Sequence, residues 1–449
     1  MNLEAKSFYK SLCTIVGPIA AQNLISAAVS SVDVIMLGSV GQTAIAASSL
    51  ANQITFILFM ISTGLSSGLI MLSSQYWGKK DVESIKVLMG IALRISCSVG
   101  FIFGVLAFFC PTFLMGIFTN DQNLISVGSS YLKVASISFF CLSISQIFQS
   151  AFKSIERVKI VTILTLITLG LNVLLNSCFI YGFIGFPKLG IVGVGIATSI
   201  SRVIEVVICL IYCKKQKDLH CGFSVIFKRN QLLFSDFVKF SMPAVGNELV
   251  WGAAFSMYSV ILGHLGEDIV AANSVVGVIR NLATVVCFGM AYGGAIILGK
   301  QMGAGELEKA ERNAARLAKV TILSGVLGGI LVLCCRSFIP NIVKLSENAS
   351  HCRDILMYIT AYSIVGASIN TVFICGIFRA GGDSKFGFIA DVINMWGVSV
   401  PLGLLAAFVF KLPPLWVYFI LYLDEFEKMP FVIVHYFKKK WLKNITREI

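Results

Sequence analysis

PIAAQNLISAAVSSVDVIMLGSVGQTAIAAS, residues 18–48, and PAVGNELVWGAAFSMYSVILGHLGEDIVAAN, residues 243–273, decide the fold of this chain. Each opens on a proline inside an apolar run, Pro18 and Pro243, and each closes on a glycine-containing turn. At an offset of 225, Gly38 meets Gly263, Gly41 meets Gly266, and Ala46-Ala47 meets Ala271-Ala272. The GxxxG pair Gly64 and Gly68 falls on Gly289 and Gly293 at the same offset. Further along, the turn Phe152 to Lys159 lies over Phe378 to Lys385 at an offset of 226. The chain is therefore two copies of one unit.

Composition says where that unit lives. Of 449 residues, 57% are hydrophobic and only 13% are charged, with mean hydropathy +0.85. A soluble domain carries about 25% charged residues. The formal net charge of +13 would raise nucleic-acid binding, but the basic residues are few and scattered among apolar runs. A bilayer core of ~30 Å takes about 20 apolar helical residues to cross. Twelve segments qualify: Leu12–Leu37, Ala44–Ser74, Leu88–Phe113, Tyr131–Phe152, Ile160–Phe183, Ile191–Tyr212, Phe240–Leu262, Ile269–Leu298, Leu317–Ile339, Ile355–Phe378, Phe386–Phe410 and Leu412–Phe437. Alternating segments of barrel length are lacking, so the spans are helices. The fold class is all-α, an integral membrane protein with twelve transmembrane helices in two six-helix lobes.

Orientation follows from Lys and Arg. With the N-terminus inside, inner segments hold 26 of them and outer segments 5, namely Lys188, Arg336, Lys344, Arg353 and Lys411. Both termini are thus expected on the cytoplasmic side of a cell membrane, and the first span reads as an uncleaved anchor. The expected organisation is an N-lobe over 1–213, a basic cytoplasmic linker over 214–239, and a C-lobe over 240–449 with a short basic tail. Six is even, so the halves share one orientation, the arrangement that sets a substrate site between two rocking lobes.

Acids inside spans are expensive, at least ~2.5 kcal/mol on insertion scales, and each is a functional candidate. They are Asp33, Glu205, Glu248, Asp391 and the group Asp424, Glu425, Glu427. Asp33 lies five residues below the outer end of span 1, and Asn172 and Asn176 lie eleven and seven below that of span 5. Thr198 is seven residues below the outer end of span 6. At ~1.5 Å per residue all four sit about 7–17 Å beneath the outer surface. One carboxylate, two amide oxygens and a hydroxyl suit a hard cation, and serve equally a carboxylate that takes up and releases a proton. The alternative is that Asn172 and Asn176 only join helices by hydrogen bonds. Glu248 and Asp391 lie at inner-third depth, either lining a vestibule that attracts cations or pairing structurally, for instance with Arg280. In span 12, Asp424, Glu425 and Lys428 interrupt an apolar run that resumes at Phe431. They must face protein or water, as cavity lining or as a self-paired seam with Asp424 and Lys428 at i,i+4. A third reading ends the span near Leu423 and makes the rest an amphipathic cytoplasmic helix, which would leave span 12 too short.

The set Pro18, Asp33, Gly38 and Gly41 in span 1, with Gln75 and Gly78 closing span 2, resembles the multidrug and toxic compound extrusion (MATE) transporters. Asn172 and Asn176 in span 5, Thr198 in span 6 and Gln301 with Gly303 closing span 8 extend the resemblance over the whole chain. It implies a secondary active antiporter that exports organic cations through a cleft between lobes, in exchange for Na⁺ or H⁺. In that family the span-1 acid and the span-5 asparagines form an N-lobe cation site. The resemblance places it at Asp33, Asn172 and Asn176, with Na⁺ as the metal it would hold. Many relatives have Asp where this chain has Asn176, which leaves Na⁺ or H⁺ open. Another branch carries acids in spans 7 and 10. Here Gly366 stands near the expected span-10 place, so that second site does not carry over.

Several motifs fail. Gly294 to Gln301 nearly spells a P-loop, but Gln301 stands where Ser or Thr must hold Mg²⁺ and no strand precedes it. ATP drive is not expected. Thirteen Cys show no paired CxxC spacing, and His220, His264, His351 and His435 show no ligand spacing. No catalytic residue and no cofactor other than the coupling ion are expected. The expected partners are small organic cations and the lipid bilayer, with no nucleic acid, and the chain is expected to act as a monomer. The proposed movement starts at Asp33, helped by Asn172, Asn176 and Thr198, and bends span 1 above Pro18, with Pro243 as its counterpart. Glu248, Asp391, Asp424 and Glu425 are the candidate substrate-cavity residues. The competing function is a flippase for lipid-linked saccharides, which would want several cavity arginines, whereas Arg94, Arg202 and Arg280 are scattered.

Overall fold

The computed structural model describes residues 3–216, 228–339 and 345–448, apart from the side chains of Ser30, Ser31, Val34 and Ile184. His220, Lys344 and the middle of the expected linker lie outside the described residues. Within them the chain forms helices and turns and no strand. The helices are span 1 Leu3–Gly38, span 2 Gln42–Gly78, span 3 Val82–Phe109, span 4 Gln122–Ser154, span 5 Val158–Tyr181 and span 6 Gly190–Lys215. Then follow span 7 Gln231–Gly263, span 8 Glu267–Gly303 and span 9 Leu307–Arg336. Span 10 runs over Glu347–Thr371 and continues as a π-helix over Val372–Phe378. Span 11 begins as Ser384–Asp391 and passes into a π-helix over Val392–Ser399 before reaching Val409. Span 12 is broken into Pro414–Leu421 and Asp424–Phe437.

Ten of these, among the described residues, are long and apolar enough to cross a membrane. Spans 7 and 12 complete the twelve. Span 7 carries Asp236, Lys239 and Glu248 within its apolar length, and neither piece of span 12 reaches ~20 residues alone. Spans 2 and 8 have 37 residues each, about 55 Å, so they project well beyond the hydrocarbon. Local chemistry fixes the ends. The Asp81 carboxylate accepts from the Ser84 N–H, Asp121 accepts from Asn123 and Leu124, and Ser346 accepts from Ala349. These satisfy orphan donors at helix starts. Gly41 and its repeat partner Gly266 take φ of 136° and 121°, a region side chains avoid. The repeated glycine is thus explained by the turn it makes.

The chain forms two compact units. One comprises Met1–Ala20, Ser74–Lys80 and Gly246–Ile449, and the other Ala21–Ser73 and Asp81–Val245. The units cut across the sequence halves. The chain passes from one to the other inside spans 1 and 7, two residues beyond Pro18 and Pro243 respectively. A helix-interior proline removes one i→i−4 bond, so both passages lie within a turn of a weakened stretch, at the same place in the repeat.

Glycines let helices approach closely within each unit. A Cβ on Gly64 would lie 2.4 Å from the Val245 Cα, and one on Gly68 1.9 Å from the Ser241 hydroxyl. In the other unit, a Cβ on Gly289 would meet the Val16 side chain at 3.2 Å and the Ala20 nitrogen at 3.6 Å, and one on Gly293 would meet Val16 at 2.9 Å. Val245 and Ala20, and Ser241 and Val16, are each 225 residues apart. The GxxxG motifs therefore seat the parts of spans 7 and 1 around Pro243 and Pro18. Where spans 2 and 8 end, a Cβ on Gly78 would be 1.9 Å from the Lys300 carbonyl oxygen, and one on Gly303 1.9 Å from that of Gln75. The buried Gln75 amide also donates to the Ala380 carbonyl and accepts from the Ile445 N–H, and Trp441 is 1% exposed. The basic tail is thus docked on the C-terminal ends of spans 2 and 8, not extended.

Candidate functional site

In the unit holding most of the first half, span 1 carries Asp33 to the buried face of span 5. The Asn176 Nδ2 donates to Asp33 Oδ1 at 2.8 Å and to Asn172 Oδ1 at 3.2 Å. Asn172 in turn donates to the Thr198 hydroxyl at 3.4 Å. Asn172 and Asn176 are one helical turn apart, so their side chains stack on one face. Both are buried, at 8% and 1% exposure, while Asp33 is half-buried. Asp33, Asn176, Asn172 and Thr198 thus form one continuous polar chain, and the Tyr131 phenol lies within electrostatic reach of Asp33. The Asn176 Oδ1 is buried without a hydrogen-bond partner among the described residues. A buried amide oxygen left unpaired costs about 1–3 kcal/mol, and a bound cation would remove that cost. The donor set fits Na⁺ as oxygen ligands, and the lone carboxylate fits a proton.

In the same unit, Glu205 is 1% exposed. Arg202 pairs with it at 2.7 Å and Gln149 donates to it at 2.5 Å. Gln22 donates to Thr165 at 2.9 Å. Glu205 is therefore a paired structural acid.

The other unit holds the larger ionic network. Arg379 donates to Glu248 at 2.9 Å and to Asn247 at 2.6 Å, and Asn247 donates to Asp391 at 2.5 Å. Lys428 Nζ stands 3.3 Å from Asp391, 3.4 Å from Asp424 and 3.7 Å from Glu425. Asn370 donates to the Glu425 carboxylate at 2.7 Å. Arg379 is 3% exposed. Counted by sequence among the cytoplasmic loop charges, it is a buried partner of Glu248. Arg280, the partner considered for Glu248 and Asp391, instead donates to the Tyr422 phenol. Glu248, Asp391 and Glu425 line a cavity of about 70 Å³ together with Trp251, Tyr292 and Arg379. Drug-sized ligands need about 300–1,000 Å³, so in this conformation the space admits waters or a small ion only. Asp424 is held against Lys428, and Asp424, Glu425 and Lys428 are buried while Glu427 is partly exposed. The π-helical stretches of spans 10 and 11 border the network at Thr371, Ile374 and Asp391, and such stretches recur at functional sites.

Three of these groups escaped sequence reasoning. Arg379 follows a span end and reads as a loop charge. Asn370 and Asn247 carry no charge to mark them, yet Asn247 and Asp391 fall over Gln22 and Thr165 in the repeat. The bond Asn247–Asp391 therefore repeats the bond Gln22–Thr165.

Comparison with known proteins gives concordant results. The MatE family matches this chain twice, over residues 18–178 and 243–405. Both matches begin at the repeated prolines. The chain is 23% identical over 408 residues to a probable multidrug resistance protein NorM of Rhizobium meliloti, covering 88% of this chain and 85% of that protein. It is 26% identical over 401 residues to a probable NorM of Pasteurella multocida, with the same coverage of 88% and 85%. Among solved structures, a mutant of the Vibrio cholerae MATE transporter VcmN superposes with a TM-score of 0.88 at 17% identity. That match covers 97% of this chain and 98% of the other.

Proposed function

This chain belongs to the multidrug and toxic compound extrusion (MatE) family of efflux transporters, and from that premise we propose that it exports organic cations by alternating access in exchange for Na⁺ or H⁺. The observation that carries the reading is the polar chain from Asp33 through Asn176 and Asn172 to Thr198. It joins spans 1, 5 and 6 around one half-buried carboxylate and one unpaired amide oxygen. A single ion settling there neutralises Asp33 and satisfies Asn176 Oδ1. It thereby changes the forces on span 1 above Pro18, where the helix is weakened. The lobes, which we assign to 1–213 and 240–449 apart from the segments the two compact units exchange, then present the cation to the outside, and the ion leaves inward. The multidrug resistance proteins among its relatives support drug-like substrates, and the Lys and Arg asymmetry supports cytoplasmic termini in a cell membrane.

A flippase for lipid-linked saccharides is not favoured. Its pyrophosphate would need unengaged arginines, whereas Arg202 is held by Glu205, Arg379 by Glu248 and Arg280 by Tyr422. The deciding experiment loads proteoliposomes with a fluorescent cation and imposes a Na⁺ gradient and a pH gradient separately. Efflux under one gradient names the ion. Efflux under neither, with lipid translocation in its place, would overturn the reading.

A further inference from the structure

We propose that Lys428 is a built-in counter-cation: its ammonium fills a carboxylate-lined site for a monovalent cation in the second half, and the site accepts free Na⁺ or a small alkylammonium once the lysine side chain is removed. The inference concerns a different unit from the Asp33 chain and stands whether or not Asp33 couples to an ion.

The first argument is coordination. Lys428 Nζ has three carboxylates within 3.3–3.7 Å, from Asp391 on span 11 and Asp424 and Glu425 on span 12. Its side chain is 3% exposed, and those of the acids are 7%, 2% and 10% exposed. A structural ion pair needs one acid. Three acids around one ammonium are the ligand set of a cation site, since hard cations are held by converging oxygens. One neutral oxygen adjoins it. Asn370, 3% exposed, lines the adjoining cavity, and its Oδ1 has no hydrogen-bond partner among the described residues. Asp424 Oδ2 likewise accepts no hydrogen bond, and only the 3.4 Å ion contact to Lys428 is there to compensate it. Both oxygens are therefore undersupplied with positive charge even with the lysine present.

The second argument is the repeat. Asp424 falls over Thr198 and Lys428 over Arg202, each 226 residues apart, and Tyr258 falls over Asp33 at 225. Tyr258 is 1% exposed and lies within electrostatic reach of Asp424 and Lys428. The second half thus sets Asp424 and Tyr258 where the first half gathers Thr198 and Asp33, and Lys428 and Asp391 where it has Arg202 and Thr165. There it has an acid in span 12 in place of the acid in span 1, and a lysine among three acids where the first half has an arginine held by Glu205. Gly366 makes room for this: a Cβ there would stand 3.1 Å from that of Glu425. With the ammonium in place the second half needs no ion from solution. Ion exchange then runs through the first half alone.

The test uses full-length purified protein carrying Asp33→Asn, so that the first-half site adds no signal, with and without Lys428→Ala. Melting temperature is read in NaCl, propylammonium chloride and choline chloride at equal ionic strength. The Asp33→Asn protein is expected to melt alike in all three. The double variant should melt lower in choline and recover by about 2 °C or more in Na⁺ or propylammonium, saturating with concentration as ligand linkage requires. Equal melting of the double variant in the three salts would overturn the proposal. If Lys428→Ala does not accumulate, Asp424→Asn with Lys428→Met, which removes one charge of each sign, is the second variant. Its accumulation with residual Na⁺ dependence supports the proposal, and its failure to accumulate, or a melt indifferent to salt, contradicts it.

Discussion

Replacing Gly303 by Ala tests the seam on which spans 2 and 8 end. The added Cβ would stand 1.9 Å from the Gln75 carbonyl oxygen and 2.5 Å from its carbon. A normal carbon–oxygen contact is about 3.2 Å, so the helices must part by about 1.3 Å locally. The obstacle is backbone in a helix, not the end of a flexible side chain, and overpacking of this kind costs about 1–3 kcal/mol. The upper half of that range applies, because moving Gln75 also disturbs its bonds to Ala380 and Ile445. At roughly 2 cal/mol/K per residue of unfolding entropy, a chain of this size loses about 1 °C for each kcal/mol. Gly303→Ala should therefore melt about 2–3 °C lower in detergent. Gly78→Ala, whose Cβ meets the Lys300 carbonyl at the same 1.9 Å, should cost the same. One separation of the two helices relieves both clashes, so the double variant should lose clearly less than the sum, as coupled neighbours do. A Gly303→Ala protein melting within 1 °C of the parent, or strict additivity in the double, would refute the reasoning.

Asn176→Ala removes the donor to Asp33 and the unpaired oxygen together. A hydrogen bond to a charged group is worth about 1.5–3 kcal/mol, so the ion concentration giving half-maximal efflux should move by about 10- to 150-fold, with melting little changed. Arg379→Met leaves Glu248, 16% exposed, without its guanidinium, at a cost that reaches about 3–5 kcal/mol where such a pair is fully buried. Its yield and melting temperature should fall sharply, and adding Glu248→Gln should restore most of the loss. Trp441→Ala empties the site of a side chain 1% exposed, which costs about 3–5 kcal/mol. A sharply lowered melt would show that the basic tail is an integral part of its unit, and an unchanged melt would show it loose.

Much of this was legible in sequence because hydropathy and repetition are local signals. Twelve apolar runs, the 225-residue offset and the glycine turns at Gly41 and Gly266 reveal the spans and their pairing without any contact information. The grouping of Asp33 with Asn172, Asn176 and Thr198 was legible too, since depth along a helix follows from residue count. What sequence could not show was lateral neighbourhood. Nothing in the chain announces that Arg379 turns inward to Glu248, or that Lys428 faces Asp391, 37 residues away. The units' exchange of segments was equally invisible. It depends on where spans 1 and 7 pack beyond Pro18 and Pro243, and a periodic apolar pattern is the same on either side of the proline.

The central claim is that Asp33 is where the driving ion acts. Its most direct measurement is efflux of a fluorescent cation from proteoliposomes containing Asp33→Asn, under the gradient that drives the parent protein. Asparagine keeps the size of the side chain and can still bond to Asn176, so the protein should fold and melt like the parent, yet gradient-driven efflux should fall to the rate of empty vesicles. Efflux of the variant at the parent rate, with the same dependence on the gradient, would contradict the account.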